Sequence, residues 1–352
     1  MRAATTSSDQ RLQPRVAMNR VIVITGGSAG VGRATARRFA AAGDHVAVLA
    51  RDPGRLAATV AELELRDVKA LGIPTDVADA AQVEAAAARV ELELGPIDVW
   101  INCAMTTVVA PLDQMSAAEY QRVTDVCYHG FVWGTQAALR VMKPRRRGTI
   151  IQVGSALAIR SIPLQSAYCG AKHAIHGFTD SLRSELLHDG IPIELCMVQL
   201  PAVNTPQFDW CVNKTDRALG PVPPIFQPEI VANALYEVSL HPRREVYLGW
   251  PSIKGILGDK LTPGVADRYL ATHGYSGQMT DAPNPHNPAN LFEPVPGDQE
   301  AHGRFDDKAR SHDLVARAAT VLGAAGVQAI VGLVGAAAVA GLTLGIAKLV
   351  RR

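Results

Sequence analysis

Residues 21–43 read VIVITGGSAGVGRATARRFAAAG, and this stretch decides the fold. The apolar, β-branched run at its start predicts a buried strand, and the alanine-rich run at its end predicts a helix. Between them, Gly26, Gly30 and Gly32 are spaced G-x-x-x-G-x-G. Because glycine has no side chain, such a turn lets the backbone approach a pyrophosphate at the N-terminus of the helix. The stretch therefore predicts the first strand, turn and helix of a dinucleotide-binding unit.

Beyond this unit, predicted strands and helices alternate with short connections as far as about residue 250. Further strands are predicted in the segments HVAVLAR, VKALGIP, IDVWIN, GTIIQVGS, IPIELCMVQL and REVYLGW. Regular alternation of strand and helix is the pattern of a parallel sheet with helices on both faces. The sequence therefore predicts an α/β fold, a doubly wound, Rossmann-type parallel sheet that carries a C-terminal extension.

A second motif lies in residues 155–172, SALAIRSIPLQSAYCGAK. Tyr168 and Lys172 are four residues apart, so they share one face of the predicted helix. A free tyrosine has a pKa of about 10, and a neighbouring ammonium moves that pKa toward the working range of a proton donor. Ser155 ends a predicted strand and can hold the oxygen on which the phenol acts. An ordinary surface helix shows the same spacing, so the motif depends on the dinucleotide site upstream for its meaning.

The T-G-x-x-x-G-x-G pattern at residues 25–32, Ser155 and the pair Tyr168-x-x-x-Lys172, in this order, resemble the compact branch of the short-chain dehydrogenase/reductase family. The resemblance covers residues 18–250. It implies an oxidoreductase that interconverts an alcohol and a ketone or aldehyde. Tyr168 would donate or accept the proton, Lys172 would lower its pKa and bind the nicotinamide ribose, and Ser155 would orient the substrate oxygen. The resemblance also implies a homo-oligomer, a dimer or tetramer.

The end of the second strand indicates which cofactor is preferred. In NAD-preferring relatives an acidic residue stands at the position of Ala50, whereas here Arg51 follows an alanine. A guanidinium suits the 2′-phosphate of NADP(H), which a carboxylate would repel. A solvated arginine on a loop is the alternative. The residues predicted to contact NADP(H) are Gly26, Ser28, Gly30, Val31, Gly32, Arg51, Asp76, Val77, Asn102, Ala104, Tyr168, Lys172, Pro201 and Val203.

Three departures from the family pattern bear on catalysis. Met105 and Ala202 replace glycines beside the expected cofactor, and Cys127 stands where a catalytic asparagine is expected. Cysteine is a weak hydrogen-bonding substitute for asparagine. The alternative to an enzyme is therefore an NADP(H)-binding scaffold or sensor with impaired catalysis, although the intact serine–tyrosine–lysine set favours the enzyme.

Composition argues against several other classes of protein. A net charge of +2 with 19% charged residues gives no electrostatic reason to expect nucleic acid as a partner. The five cysteines are scattered without a C-x-x-C pair, which predicts reduced thiols in a cytosolic domain, and no metal site is expected. Residues 1–17 are polar, lack the apolar core of a secretory signal, and are predicted to be a disordered arm.

The oxidoreductase domain is predicted to span residues 18–275. Apolar residues between 207 and 227, where the family has its variable substrate loop, indicate a lipophilic alcohol or carbonyl substrate. Core packing or a membrane-facing lid would explain the same residues. Residues 276–317 are rich in proline, asparagine and charge, and this composition predicts an extended linker.

The tail differs from the rest of the chain. Residues 318–347 contain no charged side chain and are flanked by Arg317 and Lys348. Because about 20 apolar residues suffice to cross a bilayer, they are predicted to form a transmembrane helix that leaves the catalytic domain in the cytoplasm. Alanine and glycine make this stretch only weakly hydrophobic. A soluble interface helix, or a tail that only mediates assembly, is the alternative.

Overall fold

The computed structural model describes residues 19–249 and 262–312. The strands are β1 Val21–Thr25, β2 His45–Ala50, β3 Ala70–Pro74, β4 Ile97–Asn102, β5 Val108–Val109, β6 Thr149–Val153, β7 Glu194–Gln199, β8 Val212–Asn213, β9 Arg217–Leu219, β10 Ile225–Phe226, β11 Glu245–Tyr247, β12 Met279–Pro283 and β13 Ala309–Arg310. The α-helices are α1 Gly30–Ala40, α2 Pro53–Glu64, α3 Ala80–Glu93, α4 Ala117–Thr124, α5 Gly130–Arg145, α6 Ser166–His188, α7 Gln207–Trp210, α8 Pro228–Leu240 and α9 Pro263–His273.

Seven parallel strands form the central sheet in the order β11-β7-β6-β4-β1-β2-β3. The chain builds β1 to β3 in one direction, crosses to the other side of β1 with β4, and then continues outward to β11. In open α/β sheets, ligands bind in the crevice that such a reversal leaves at the carboxyl ends of the strands. The predicted Rossmann-type, doubly wound fold is confirmed.

Helices cover both faces of the sheet because the strands are apolar on both sides, as buried parallel strands are. One core contains Val83 of α3, Met142 of α5 and Leu182 of α6, packed with Trp100 of β4. The core on the opposite face contains residues of α1, α2 and α8, among them Phe39. These two layers fix the strand ends, and so fix the turns that follow them.

Residues 276–312 differ from the predicted extended linker, because they pack along the domain. Strand β12 pairs antiparallel with β9, and β13 pairs parallel with β10. Leu291 and Ala301 are buried. The main chain of this segment therefore pairs with other strands and its apolar side chains are buried, although its polar composition predicts neither.

Two terminal predictions lie outside the described residues, namely the arm at residues 1–17 and the transmembrane helix at residues 318–347. Among the helices that the structure describes, none combines the length and the apolar character needed to cross a membrane.

Candidate active site

A cavity of about 420 Å³ opens where β1, β4, β6 and β7 end. The sequence-predicted residues that line it are Gly26, Ser28, Gly30, Val31, Gly32, Arg51, Asp76, Val77, Ala104, Ser155, Tyr168, Lys172, Pro201 and Val203. Asn102, also predicted to contact the cofactor, does not line the cavity. Its amide is buried and donates to Thr135 Oγ1 (3.1 Å) and Gln152 Oε1 (2.9 Å). Asn102 therefore ties β4 to α5 and β6 beneath the site.

The glycine turn forms a cradle that side chains would fill. A Cβ on Gly26, which has φ +68°, would lie 2.7 Å from Ala104 Cα, and one on Gly32 would lie 2.2 Å from the carbonyl oxygen of Gly26. Helix α1 begins at Gly30, and the residue before it, Ala29, has no side-chain group to cap the first N–H groups. Such a backbone-lined helix N-terminus attracts anions. The turn fits the pyrophosphate of a dinucleotide.

Ser155, Tyr168 and Lys172 meet on one wall of the cavity. Ser155 follows β6, and the other two lie one turn apart on α6. The Ser155 hydroxyl, which accepts from the Leu157 N–H (3.2 Å), lies beside the Tyr168 phenol. The Lys172 ammonium donates to the Val153 carbonyl oxygen (2.8 Å), and its Nζ lies 5.5 Å from the centre of the Tyr168 ring and 4.5 Å from that of Phe131. A phenol, a hydroxyl and an ammonium thus converge at the site.

Burial is the largest influence on the pKa values of Tyr168 and Lys172. It raises the pKa of Tyr168 far above the ordinary value, and the neighbouring Ser155 hydroxyl only partly opposes that rise. Burial also lowers the pKa of Lys172, because the ammonium loses its water. The lowering of the Tyr168 pKa that the spacing predicts is therefore outweighed in this structure. The phenol is held neutral, which is the form that donates a proton.

Gln199, at the end of β7, holds Ser155 in place. Its Oε1 accepts from the Ser155 N–H (2.7 Å), and its Nε2 donates to Glu245 Oε1 (2.8 Å). Gly154 leaves room for this amide, since a Cβ there would lie 2.2 Å from Gln199 Oε1. Glu245 also pairs with His176 of α6 (3.4 Å). A buried chain of contacts therefore runs from the far edge of the sheet to the backbone of the serine.

Glu245 and His176, the two charged groups in this series of contacts, shift each other's pKa. Burial disfavours the Glu245 carboxylate, but hydrogen bonds from His176, Gln199 and Tyr247 lower its pKa on balance. The hydrogen bond to Glu245 in turn raises the pKa of His176, although burial opposes it. Each partner thus favours the ionised form of the other next to Gln199.

Cys127, at the position of the expected asparagine, lies in a π-helical turn, Asp125–His129, between α4 and α5. Its Sγ donates to the Thr106 carbonyl oxygen (3.1 Å) and accepts from the Thr106 N–H (3.3 Å). Burial raises the pKa of the thiol, so it keeps its proton. Met105 occupies its glycine position without a positive φ. The structure therefore holds Cys127 in a π-helical turn and Met105 without a left-handed backbone conformation.

The end of the cavity beside β2 and β3 is lined by three arginines, Arg51, Arg55 and Arg122. Asp76 accepts from Arg122 (2.7 Å), and Asp52 caps α2 by accepting from the Arg55 N–H (2.7 Å). The Arg51 guanidinium instead donates to main-chain carbonyls of residues 290–292. Burial lowers the pKa of Arg51 from its ordinary value of 12.5. Asp52 and Asp76 are thus each hydrogen-bonded, and the contacts of the Arg51 guanidinium are to backbone carbonyls.

Apolar groups line much of the remaining wall, among them Val109, Ile162, Phe208, Trp210, Leu219 and Val222. Gln165 interrupts them, and its Nε2 donates to Gln278 Oε1 (2.7 Å). The lining and positioning residues that sequence reasoning missed are Arg122, Gln165, Gln199, Gln278, Asn290 and Pro294. A strand-end glutamine after an apolar run is the signal that could have identified Gln199. For the last three no motif exists, since they come from the segment predicted to be a linker.

Comparison with known proteins agrees with this geometry. The profile of the short chain dehydrogenase family matches residues 20–214. The uncharacterized oxidoreductase YxnA of Bacillus subtilis is 29% identical over 286 residues, which are 80% of this chain and 80% of that protein. The 3-dehydrosphinganine reductase of Danio rerio is 30% identical over 220 residues, 60% of this chain and 65% of the relative.

A solved structure extends the agreement to three dimensions. A short-chain dehydrogenase from Streptomyces avermitilis superposes with a TM-score of 0.60 at 25% identity, covering 72% of this chain and 97% of the other. The family profile covers more than half of the chain, and the glycine turn, Ser155, Tyr168 and Lys172 lie around one cavity of a Rossmann-type fold. The chain therefore belongs to the short-chain dehydrogenase/reductase family, whose members are oxidoreductases that act on alcohol and ketone substrates with NAD or NADP.

Proposed function

We propose that the protein is an NADP(H)-dependent oxidoreductase that interconverts a lipophilic alcohol and the corresponding ketone or aldehyde. The observation that carries the proposal is the meeting of the neutral Tyr168 phenol, the Ser155 hydroxyl and, one turn away on α6, Lys172 in the wall of one cavity. No metal ligand is invoked, and among the described residues no group of His, Cys, Asp and Glu is arranged to hold a metal ion.

The residues divide the work in a simple way. The nicotinamide, when bound, supplies or accepts the hydride. In reduction, Tyr168 donates its proton to the carbonyl oxygen as charge develops there, and Ser155 donates a hydrogen bond to the same oxygen. Lys172 keeps a positive charge beside the tyrosinate that forms and so lowers its energy. Oxidation of the alcohol follows the same steps in reverse.

Three features support NADP(H) over NAD(H). The position that would carry a ribose-binding carboxylate is Ala50, and Arg51 follows it at the cavity wall. Arg55 and Arg122 add positive charge to the same end. The nearby carboxylates of Asp52 and Asp76 are each hydrogen-bonded, the first to the start of α2 and the second to Arg122. A 2′-phosphate would therefore meet guanidinium groups at this end of the site.

The substrate class is inferred from the wall around Tyr168. Its aliphatic and aromatic side chains suit a ligand that is mostly hydrocarbon, with one carbonyl or hydroxyl group placed at Ser155 and Tyr168. The name of the Danio rerio relative, 3-dehydrosphinganine reductase, describes reduction of a keto group. Long-chain keto amino alcohols therefore belong in the first set of test substrates.

The test is consumption of NADPH and of NADH by the purified full-length protein over a panel of lipophilic ketones and aldehydes. We expect NADPH-dependent turnover that falls at least 100-fold in Tyr168→Phe, because a positioned general acid contributes about 10²–10⁴ in rate. Tyr269→Phe, at a tyrosine 62% exposed on α9, is the matched control and keeps full activity. Binding of NADPH without turnover on the whole panel would favour the scaffold alternative instead.

We further propose that residues 318–347 anchor the protein to a membrane with the catalytic domain in the cytoplasm, and that the enzyme is a homo-oligomer. The support for the anchor is thirty uncharged residues between Arg317 and Lys348. Membrane fractionation of the full chain and of a variant lacking residues 318–352 tests it. An equal distribution of both proteins would contradict the anchor, and light scattering in detergent measures the oligomeric state.

A further inference from the structure

Residues 290–300, called here the C-terminal strap, cross the cofactor end of the cavity. The Asn290 N–H donates to the Trp210 carbonyl oxygen (2.9 Å), the Leu291 side chain is buried in the main core, and the Glu300 carbonyl oxygen accepts from the Gly30 N–H (3.1 Å). Asn290 and Pro294 line the cavity itself. The strap is thus part of the wall, joined at one end to α7 and at the other to the glycine turn.

Arginines of the domain fasten the strap along its length. Arg33 donates to Asp298 Oδ1 (2.6 Å), and Arg37 to Glu300 Oε2 (2.6 Å). The remaining contacts are to main-chain carbonyls, from Arg33 to Gln299 (2.9 Å), from Arg55 to Val295 (2.7 Å), from Arg122 to Leu291 (3.0 Å), and from Arg51 to Asn290, Leu291 and Phe292. Each of these arginines comes from the part of the chain before residue 125.

The contacts of Arg51 leave part of its guanidinium free for a ligand. Its three hydrogen bonds to the strap use Nη1 and Nη2. A guanidinium has five N–H donors, and within residues 19–249 and 262–312 the Nε–H has no acceptor. Arg51 also lines the cavity. Since the strap holds the side chain in one orientation, the loss of rotamer freedom on binding a phosphate is reduced.

We infer that the C-terminal strap positions Arg51 for the 2′-phosphate of NADP(H), and that its main-chain carbonyls therefore contribute to the choice between NADP(H) and NAD(H). The inference rests on the proposed NADP(H) preference. It assigns a function in cofactor recognition to a segment whose composition predicts a linker. Leu291 is the positioning residue of the strap, because its buried side chain fixes the carbonyls that Arg51 and Arg122 contact.

The test is the dissociation constant of NADPH and of NADH, measured by calorimetry on the full chain without substrate. We expect the unmodified protein to bind NADPH at least tenfold more tightly than NADH. Leu291→Ser releases the strap and is expected to weaken NADPH binding about tenfold while changing NADH binding less than threefold. Leu92→Ser, the same change at a leucine 86% exposed on α3, is the matched control and leaves both constants unchanged.

A double-mutant cycle separates action through Arg51 from general damage. Arg51→Ala alone is expected to weaken NADPH binding, and Leu291→Ser is then expected to have no further effect in the Arg51→Ala background. If Leu291→Ser does not fold, Asp298→Asn, which loosens the strap at Arg33, is expected to act in the same direction with a smaller effect.

Three results would overturn the inference, namely equal weakening of NADPH and NADH, tighter NADPH binding after release of the strap, or an undiminished effect of Leu291→Ser without Arg51. Tighter binding of NADH than of NADPH by the unmodified protein would instead refute the proposed cofactor.

Discussion

Replacement of Gln199 by leucine tests whether the buried chain from Glu245 to Ser155 supports catalysis. The substitution removes the acceptor of the Ser155 N–H (2.7 Å) and one donor to Glu245 (2.8 Å). A buried N–H without an acceptor costs about 1–3 kcal/mol, and a hydrogen bond to a charged group contributes about 1.5–3 kcal/mol. Together these predict that the free energy of unfolding falls by about 2.5–6 kcal/mol.

The effect on the reaction is separate from the effect on stability. Ser155 loses the contact that places its backbone, so in the proposed reaction its hydroxyl would no longer hold the substrate oxygen beside Tyr168. We expect kcat to fall at least tenfold while the dissociation constant of the nucleotide stays within twofold. Urea unfolding and steady-state kinetics at a temperature where the variant is folded measure both quantities.

The matched control is Gln152→Leu. Gln152 is equally buried, donates to Thr135 Oγ1 (2.8 Å) and accepts from Asn102, but has no contact with Ser155. It is expected to destabilise the protein by a comparable amount and to leave kcat within a few-fold of the original. If the two leucine variants lose kcat equally, Gln199 has only a structural role and the reasoning is refuted.

The other predictions concern charge, the thiol and pH. Lys172→Met is expected to abolish turnover, measured as NADPH consumption. It is expected to change the free energy of unfolding by no more than about 1 kcal/mol, because a buried cation and its one bond to a carbonyl oxygen are lost together. Melting followed by circular dichroism measures this second effect. Cys127→Ala leaves the Thr106 N–H without its acceptor and is expected to lower stability by about 1–3 kcal/mol in urea unfolding, and an unchanged stability would contradict the thiol contact. The Glu245–His176 pair is expected to make the melting temperature depend on pH at both ends. The contribution of Glu245 to stability is fully present above its ordinary pKa of 4.5 and is lost as the pH falls through the lowered pKa. The contribution of His176 to stability is fully present below its ordinary pKa of 6.5 and is lost as the pH rises through the raised pKa. His176→Asn should remove the decline on the alkaline side, and an unaltered profile would exclude this pair as its cause.

Local patterns were sufficient to predict the fold, and they single out residues that the structure brings to one cavity. The strand, glycine turn and helix at residues 21–43 depend on interactions between near neighbours. Side chains are sterically excluded at Gly26 and Gly32, and the spacing of the glycines in the sequence already indicates this. Tyr168 and Lys172 share a helix face by helical geometry alone. The three spaced glycines of the turn, Tyr168 and Lys172 all line the cavity, as the two motifs predict.

Tertiary structure alone decided how those motifs are supported. The amide of Asn102 lies in a motif but is turned into the core, where Thr135 and Gln152 bind it. Burial determines the pKa of Tyr168, and burial is a property of the whole assembly of helices around the phenol rather than of the neighbouring lysine.

The C-terminal strap is the clearest example of structure that the sequence does not predict. Its proline, asparagine and charged residues have the composition of a linker, yet most of its bonds to the domain use main-chain carbonyls, which every residue type carries and no side-chain pattern records. The sequence by itself determined the sheet, the cradle for the dinucleotide and the tyrosine–lysine pair, because these follow from the spacing of a few residues. Only the tertiary structure decided where residues 290–300 lie and what holds Arg51, because the arginine contacts to this segment join residues more than 160 positions apart.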